Sequence, residues 1–145
     1  MTELICFNAY DVGVAADLAR AYELSGKSQF SVMEINEPEI SNYGVVIPNG
    51  SGAGIAGLVE KPDANDAPSN MVSIGRYVLT ANFFDTLRGL NMGSGGEFQL
   101  VDAINIHAQQ GLVETVRLNG QCFDCGSVDW FMRASNDEYQ KRLAV

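Results

Sequence analysis

Positive charge is scarce in this chain: nine Lys and Arg stand against eighteen Asp and Glu, for a net charge of −9. A field of that sign repels nucleic acid and anionic membranes, so a phosphate bound here needs a local cation or a metal. Cysteine is sparse too, with three residues. An odd number with no secretory leader argues against a disulfide framework, and reduced thiols are expected. Cys122 and Cys125 have the two-residue spacing of zinc and redox sites, but a structural zinc needs four ligands and only Cys6 and His107 remain as soft partners. No apolar run approaches the roughly 20 residues that span a bilayer, and the N-terminus has neither a basic start nor a small-residue cleavage site. The cytoplasm is the expected location. The one histidine, His107, falls on an apolar helical stripe, which marks it as a packing residue rather than a base.

What is present describes an ordinary globular chain: 145 residues, 46% hydrophobic and 19% charged, expected to form a single domain over 1–145. Leu4-Ile5-Cys6-Phe7 could be a strand, and Ala15 to Leu24 repeats apolar residues every three to four positions, a helix stopped by Ser25-Gly26. Phe30 and Val32 alternate with Ser31 and Met33 in a short strand that ends by Pro38. Tyr43 to Ile47, the turn Pro48-Asn49-Gly50 and the run from Ile55 read as a hairpin. A strand over Met71 to Leu79 follows, then a helix over Ala81 to Arg88 capped by Thr80, with Phe83, Phe84 and Leu87 inward. A glycine-rich loop at 89–96 leads to a helix from about Phe98 to Gln110. Val113, Val116 and Leu118 suggest a strand, Cys122-Phe123-Asp124 another, and Ser127 caps a last helix whose Val128, Phe131, Met132, Ser135 and Tyr139 share a face. The order is mixed α/β, a mixed sheet flanked by helices.

Val59-Glu60-Lys61-Pro62 is the most informative tetrad. Pro62 has no N–H and pushes Lys61 toward an extended conformation, so a strand stops here with Glu60 and Lys61 at its C-terminal edge. Ligands bind at that edge in open α/β sheets. A carboxylate that accepts sugar hydroxyls beside an ammonium that neutralises phosphate suits a sugar phosphate; the plain alternative is a solvated surface ion pair. Gly52-Ala53-Gly54-Ile55-Ala56-Gly57 matches the dinucleotide-binding fingerprint in form, but a β-branched run rather than a helix follows it, so these glycines read as turn and strand-flexibility residues. Trp130 and the tyrosines could stack on a base, yet no basic groove accompanies them and packing is the better reading.

Several phrases occur in the order and at about the spacing of bacterial UTP–glucose-1-phosphate uridylyltransferases. They are Tyr43-Gly44-Val45-Val46, Val59-Glu60-Lys61-Pro62, Ala67-Pro68-Ser69-Asn70, Gly75-Arg76-Tyr77-Val78-Leu79, Gly96 to Ala103 and Phe123-Asp124-Cys125-Gly126. The chain resembles the second, sugar-binding half of that family's catalytic domain over roughly Ala16 to Tyr139, which implies a partial Rossmann-like sugar nucleotidyltransferase fold. The resemblance implies that Gly44 offers its backbone to the glucose ring, Glu60 holds sugar hydroxyls and Lys61 contacts the phosphate of glucose 1-phosphate or UDP-glucose. It also implies that Asp124 is one of two Mg²⁺-binding aspartates. The family's glycine-rich Thr-Arg loop and its first, Asp-Asp-like metal pair have no counterpart, and Asp11 does not take that role. Ser73 stands where relatives have an apolar residue, and Ser127-Val128-Asp129 lacks the usual basic residue. Two classes follow: a sugar nucleotidyltransferase inactive as this chain alone, or a non-catalytic sugar-phosphate or sugar-nucleotide binding module or decayed oligomeric fragment. Half a catalytic sheet leaves an apolar face or strand edge open, so a homo-oligomer is expected.

Overall fold

A computed structural model describes residues 4–8, 13–36, 39–50, 52–92 and 97–143. Along the chain run β1 (Leu4–Asn8), α1 (Val14–Ser25), β2 (Ser28–Glu34), β3 (Gly44–Pro48), β4 (Ile55–Glu60), β5 (Met71–Val78), α2 (Phe83–Gly89), α3 (Leu100–Gln109), β6 (Val113–Arg117), β7 (Gly120–Asp124) and α4 (Val128–Leu143). The chain divides into two compact units, one formed by Met1–Val14 with Leu118–Val145, the other by Ala15–Arg117. Asp11 and residues 93–96 of the glycine-rich loop lie outside the described residues.

The larger unit is built on a five-stranded sheet in the order β4-β3-β5-β2-β6. β2 and β6 run parallel and the other neighbours antiparallel, which makes the sheet mixed. The β3–β4 hairpin forms as its turn residues require, with Gly44 opposite Glu60 and Val46 opposite Leu58. Successive side chains of a strand point to opposite faces, and Val46 and Val45 accordingly enter two different cores. Val46 joins Phe30, Val32, Ile55, Leu58, Phe83, Ala103, Ile104, Ala108 and Val113 between the sheet and helices α2 and α3. Val45 joins Ile40 and Val72 on the other face, under the short 3₁₀ turns Glu39–Asn42 and Ala64–Asp66.

Both faces of β2 are therefore covered, and the alternation expected there is absent: Ser28 to Val32 are all buried. Two of its buried polar side chains, Ser28 and Gln29, meet hydrogen-bond partners, while the Ser31 hydroxyl has none. The Ser28 and Thr80 hydroxyls lie 3.2 Å apart, and Ser28 Oγ accepts the Thr80 N–H at 3.1 Å. Gln29 Nε2 donates to Ser25 Oγ at 2.7 Å. Thr80 is thus tied to β2 rather than capping α2, which begins three residues later behind Asn82. Of the three residues expected to face inward from α2, Phe83 is buried and Leu87 partly so, whereas Phe84 is 54% exposed.

In the smaller unit β1 and β7 pair antiparallel and set Cys6 opposite Cys122, with Cα atoms 4.0 Å apart; the two sulfurs form a disulfide. The expectation of three reduced thiols is corrected here, because pairing between strands at opposite ends of the sequence makes cross-strand neighbours of two cysteines that composition treats as unrelated. Cys125 has no disulfide partner. Ser127 caps α4 as expected, its Oγ accepting the Trp130 N–H at 3.3 Å. The apolar face foreseen on α4 exists but is exposed, with Val128, Phe131, Met132 and Tyr139 each more than half accessible, while Ala134 is the buried residue of the helix. Among the described residues no helix is long and apolar enough to cross a membrane.

Candidate functional site

The proposed sugar-phosphate residues come together at one end of the β3–β4 hairpin. Gly44 opens β3 and Glu60 closes β4, and the two form the last pair of the ladder. The carboxylate of Glu60 lies over the α-carbon of Gly44: a Cβ built there would stand 3.1 Å from Glu60 Oε2. Glycine at this position leaves that space to the acid and exposes its own backbone beside it. Both Glu60 and Lys61 are exposed, as groups that meet a soluble ligand must be.

Lys61 departs from the local rule. Its φ is +45°, in the left-handed region, and it is the one non-glycine among the described residues with positive φ. The extended conformation expected of a residue before proline is not adopted. The Lys61 N–H donates to the Tyr43 carbonyl at 3.0 Å, one residue past the end of the ladder. That bond continues the hairpin through the lysine and sets the sharp turn of the chain into Pro62. A non-glycine residue held in this region costs on the order of 1–2 kcal/mol, and such strain collects at functional positions.

The β4 strand lies at the edge of the sheet, yet its outer side is not bare. Asn105, on α3, accepts the Leu58 N–H with Oδ1 at 2.7 Å and donates from Nδ2 to the Leu58 carbonyl at 3.1 Å. A side-chain amide here stands in for a neighbouring strand. Gly57 makes this possible, since a Cβ on it would meet Asn105 Oδ1 at 2.7 Å. Sequence reading took Gly57 for a flexibility residue and passed over Asn105. An isolated glycine inside a strand pattern is, however, a sign of close approach by another group.

Two titratable groups of the larger unit are displaced from their ordinary values. Lys27 Nζ reaches Glu114 Oε1 at 2.8 Å, and this hydrogen bond, ahead of the smaller opposing effect of burial, lowers the carboxyl pKa. His107 is buried beside Phe83, with Nε2 2.7 Å from Thr86 Oγ1, and burial lowers its pKa. It packs as expected, against Phe83 and Thr86.

Asp124, the metal ligand implied by resemblance, belongs to the smaller unit and ends β7. Its Oδ1 accepts the Gly126 N–H at 3.0 Å in the turn that leads to α4. The turn holds one carboxylate oxygen, a hard donor of the kind Mg²⁺ takes, at a strand end; among the described residues no group of three or more His, Cys, Asp or Glu is placed to hold a metal ion.

A sequence profile of the nucleotidyl transferase family matches residues 7–141. The chain belongs to this family. Similar members include a UTP–glucose-1-phosphate uridylyltransferase of Pseudomonas aeruginosa, 36% identical over 139 residues, which cover 94% of this chain and 50% of the relative. A UTP–glucose-1-phosphate uridylyltransferase 1 of Staphylococcus saprophyticus is 36% identical over 140 residues, 91% of this chain and 49% of the relative. Among solved structures, apo UDP-glucose pyrophosphorylase superposes with a TM-score of 0.85 at 33% identity, over 96% of this chain and 52% of that one. A UDP-glucose pyrophosphorylase complexed with UDP-glucose gives 0.83 at 33% identity, over 95% and 53%. The mixed sheet flanked by helices is therefore the Rossmann-like nucleotidyltransferase fold of the family. The chain spans about half the length of the relatives it matches.

Proposed function

We propose that this chain is the sugar-binding part of a sugar nucleotidyltransferase and holds glucose 1-phosphate or UDP-glucose at the β3–β4 end. In the reaction of the whole enzyme a glucose 1-phosphate oxygen attacks the α-phosphorus of UTP, and UDP-glucose and pyrophosphate leave. The observation that carries the reading is the joint geometry of Gly44, Glu60 and Lys61: an acceptor carboxylate lying over an open backbone, followed by a cation held in a strained turn. Glu60 accepts sugar hydroxyls, the Gly44 backbone lies against the ring and the Lys61 ammonium offsets phosphate charge. Asp124 would supply one oxygen ligand to Mg²⁺, which takes few carboxylates and otherwise waters and phosphates, and the ion would offset phosphate charge. On this reading the protein works in the cytoplasm, where the Cys6–Cys122 bridge would be open to reduction, as a homo-oligomer.

Transfer at phosphorus depends on positioning and charge neutralisation rather than on covalent chemistry. A chain spanning half the length of its relatives is accordingly expected to bind the sugar nucleotide while turning over weakly or not at all by itself. Calorimetric titration with UDP-glucose and Mg²⁺, on the native chain and on Glu60→Ala and Lys61→Ala, with a pyrophosphate-release assay alongside, tests this. Binding that weakens in both variants supports the pocket. Absence of binding in the native chain, or equal binding in all three, rejects it and favours a structural module; turnover near 10 per second, an ordinary enzyme's value, rejects the expectation of a weak catalyst.

A further inference from the structure

Asn105 does more than decorate α3. β4 is an edge strand, with β3 on one side and, among the described residues, no strand on the other, so no described strand holds its outer N–H and C=O groups. Unpaired edges fray and invite foreign strands. At Leu58 both groups are taken up by one amide, at 2.7 and 3.1 Å. Leu58 stands two residues before Glu60, hence on the same side of the strand, and three before Lys61. On the inner side the Gly44–Glu60 pair is the last rung of the ladder, beyond which only the Lys61 N–H bond to Tyr43 continues. The end of β4 is thus pinned from within by β3 and from without by Asn105.

Helix α3 is a firm anchor for that pin. Its Ala103, Ile104 and Ala108 lie in the main core, and Leu58 packs into the same cluster. The Asn105 amide ties the strand backbone to this helix at a close approach that only glycine at 57 allows. We infer that Asn105 is a positioning residue for the ligand site: it fixes the height and direction of the β4 end, and so places the Glu60 carboxylate over Gly44 and the Lys61 ammonium beyond it. This inference rests on the assignment of Glu60 and Lys61 to the sugar-phosphate site.

The test is a set of UDP-glucose affinities, measured by calorimetry with Mg²⁺, together with melting temperatures. Removing a two-point hydrogen-bonded clamp is expected to weaken binding about tenfold in Asn105→Ala. Asn105→Asp has nearly the same shape but sets an oxygen against the Leu58 carbonyl; it weakens binding too, and serves if the alanine variant does not fold. Gly57→Ala, which pushes the amide off the strand, repeats the loss in the native background and adds little to Asn105→Ala. The decisive readout is coupling. In a Glu60→Ala background the Asn105→Ala change costs at most about threefold, because residues that act through one another are not additive. Ile104→Val, which removes a buried methyl group from the same helix, lowers the melting temperature and leaves affinity unchanged, separating lost stability from lost positioning. Asn105 variants that fold and bind as the native chain does, while Glu60→Ala binds weakly, overturn the inference and leave the site standing. An undiminished effect in the Glu60→Ala background overturns it as well. Absence of UDP-glucose binding in the native chain removes the site assignment itself, and the inference with it.

Discussion

At the scale of single residues, the consequential departure from local rules is Lys61. The residue before a proline avoids helical conformations for steric reasons, and sequence alone therefore predicts an extended lysine. The φ of +45° arises because the Tyr43 carbonyl, eighteen positions earlier, takes the Lys61 N–H and continues the hairpin beyond its last pair. Lys61→Gly and Lys61→Ala both delete the ammonium, but only glycine releases the strain. The glycine variant is expected to be about 1 kcal/mol more stable than the alanine variant in urea unfolding, with both losing UDP-glucose affinity. An alanine variant as stable as the glycine one would show that the turn is unstrained. His107 gives a second prediction at this scale. Burial holds its pKa below the ordinary 6.5, so as pH falls through that value the unfolded chain takes up a proton that the folded chain refuses. More protons on the unfolded state mean that stability declines with falling pH. Glu114, lowered first by the Lys27 hydrogen bond, adds a loss that begins only below its ordinary 4.5. Melting curves between pH 7.5 and 3.5, values that bracket both groups, should therefore slope downward from about 6.5, and His107→Gln should flatten the upper part alone. An identical slope in that variant would remove His107 as the cause.

At the scale of elements, the hairpin, the cap at Ser127 and the helix containing Ala103, Ile104 and His107 were legible because their signals are local: Pro48-Asn49-Gly50 turns a chain, a serine hydroxyl meets an orphan N–H, and a period of 3.6 marks one face. The strand end at Glu60 was legible for the same reason, since proline announces it. The central place of β2 was not. Gln29 and Ser31 look like an exposed face, and they are buried because β5 and β6 lie on either side and covering layers above and below. Asn105 was hidden likewise, its partner Leu58 being 47 residues away. The α2–α3 layer offers a direct test of where the main core lies. Phe83 is fully buried and in ring contact with His107, whereas its neighbour Phe84 is exposed. Phe83→Ala is expected to cost about 3–5 kcal/mol and Phe84→Ala well under about 1 kcal/mol in denaturant unfolding. Equal losses would show that the helix faces the other way.

At the scale of the whole molecule, self-association through an apolar face is favoured over association through a strand edge. The open edges of the sheet are partly closed: Asn105 covers Leu58 on β4, and Ala53 takes the Thr115 N–H of β6 at 2.8 Å. The exposed apolar residues of α4 are the better candidate for contact with a second copy, since Phe131 and Met132 are accessible and close in sequence to Val128. Light scattering on the native chain at high micromolar concentration should report a dimer or larger species, and Phe131→Glu a smaller one; a native monomer would end the proposal. The Cys6–Cys122 bridge has a mechanical consequence. Tension applied between the two ends passes from residue 6 straight to residue 122 through the sulfur bond, and all of the larger unit lies off the line of force. It is a slack loop, shielded however hard the ends are pulled. Reduction puts it in series, and a single molecule held at constant force should then, as the larger unit unfolds, lengthen by roughly 400 Å at full extension, a sequence separation of 116 paying out at about 3.3–3.6 Å per residue.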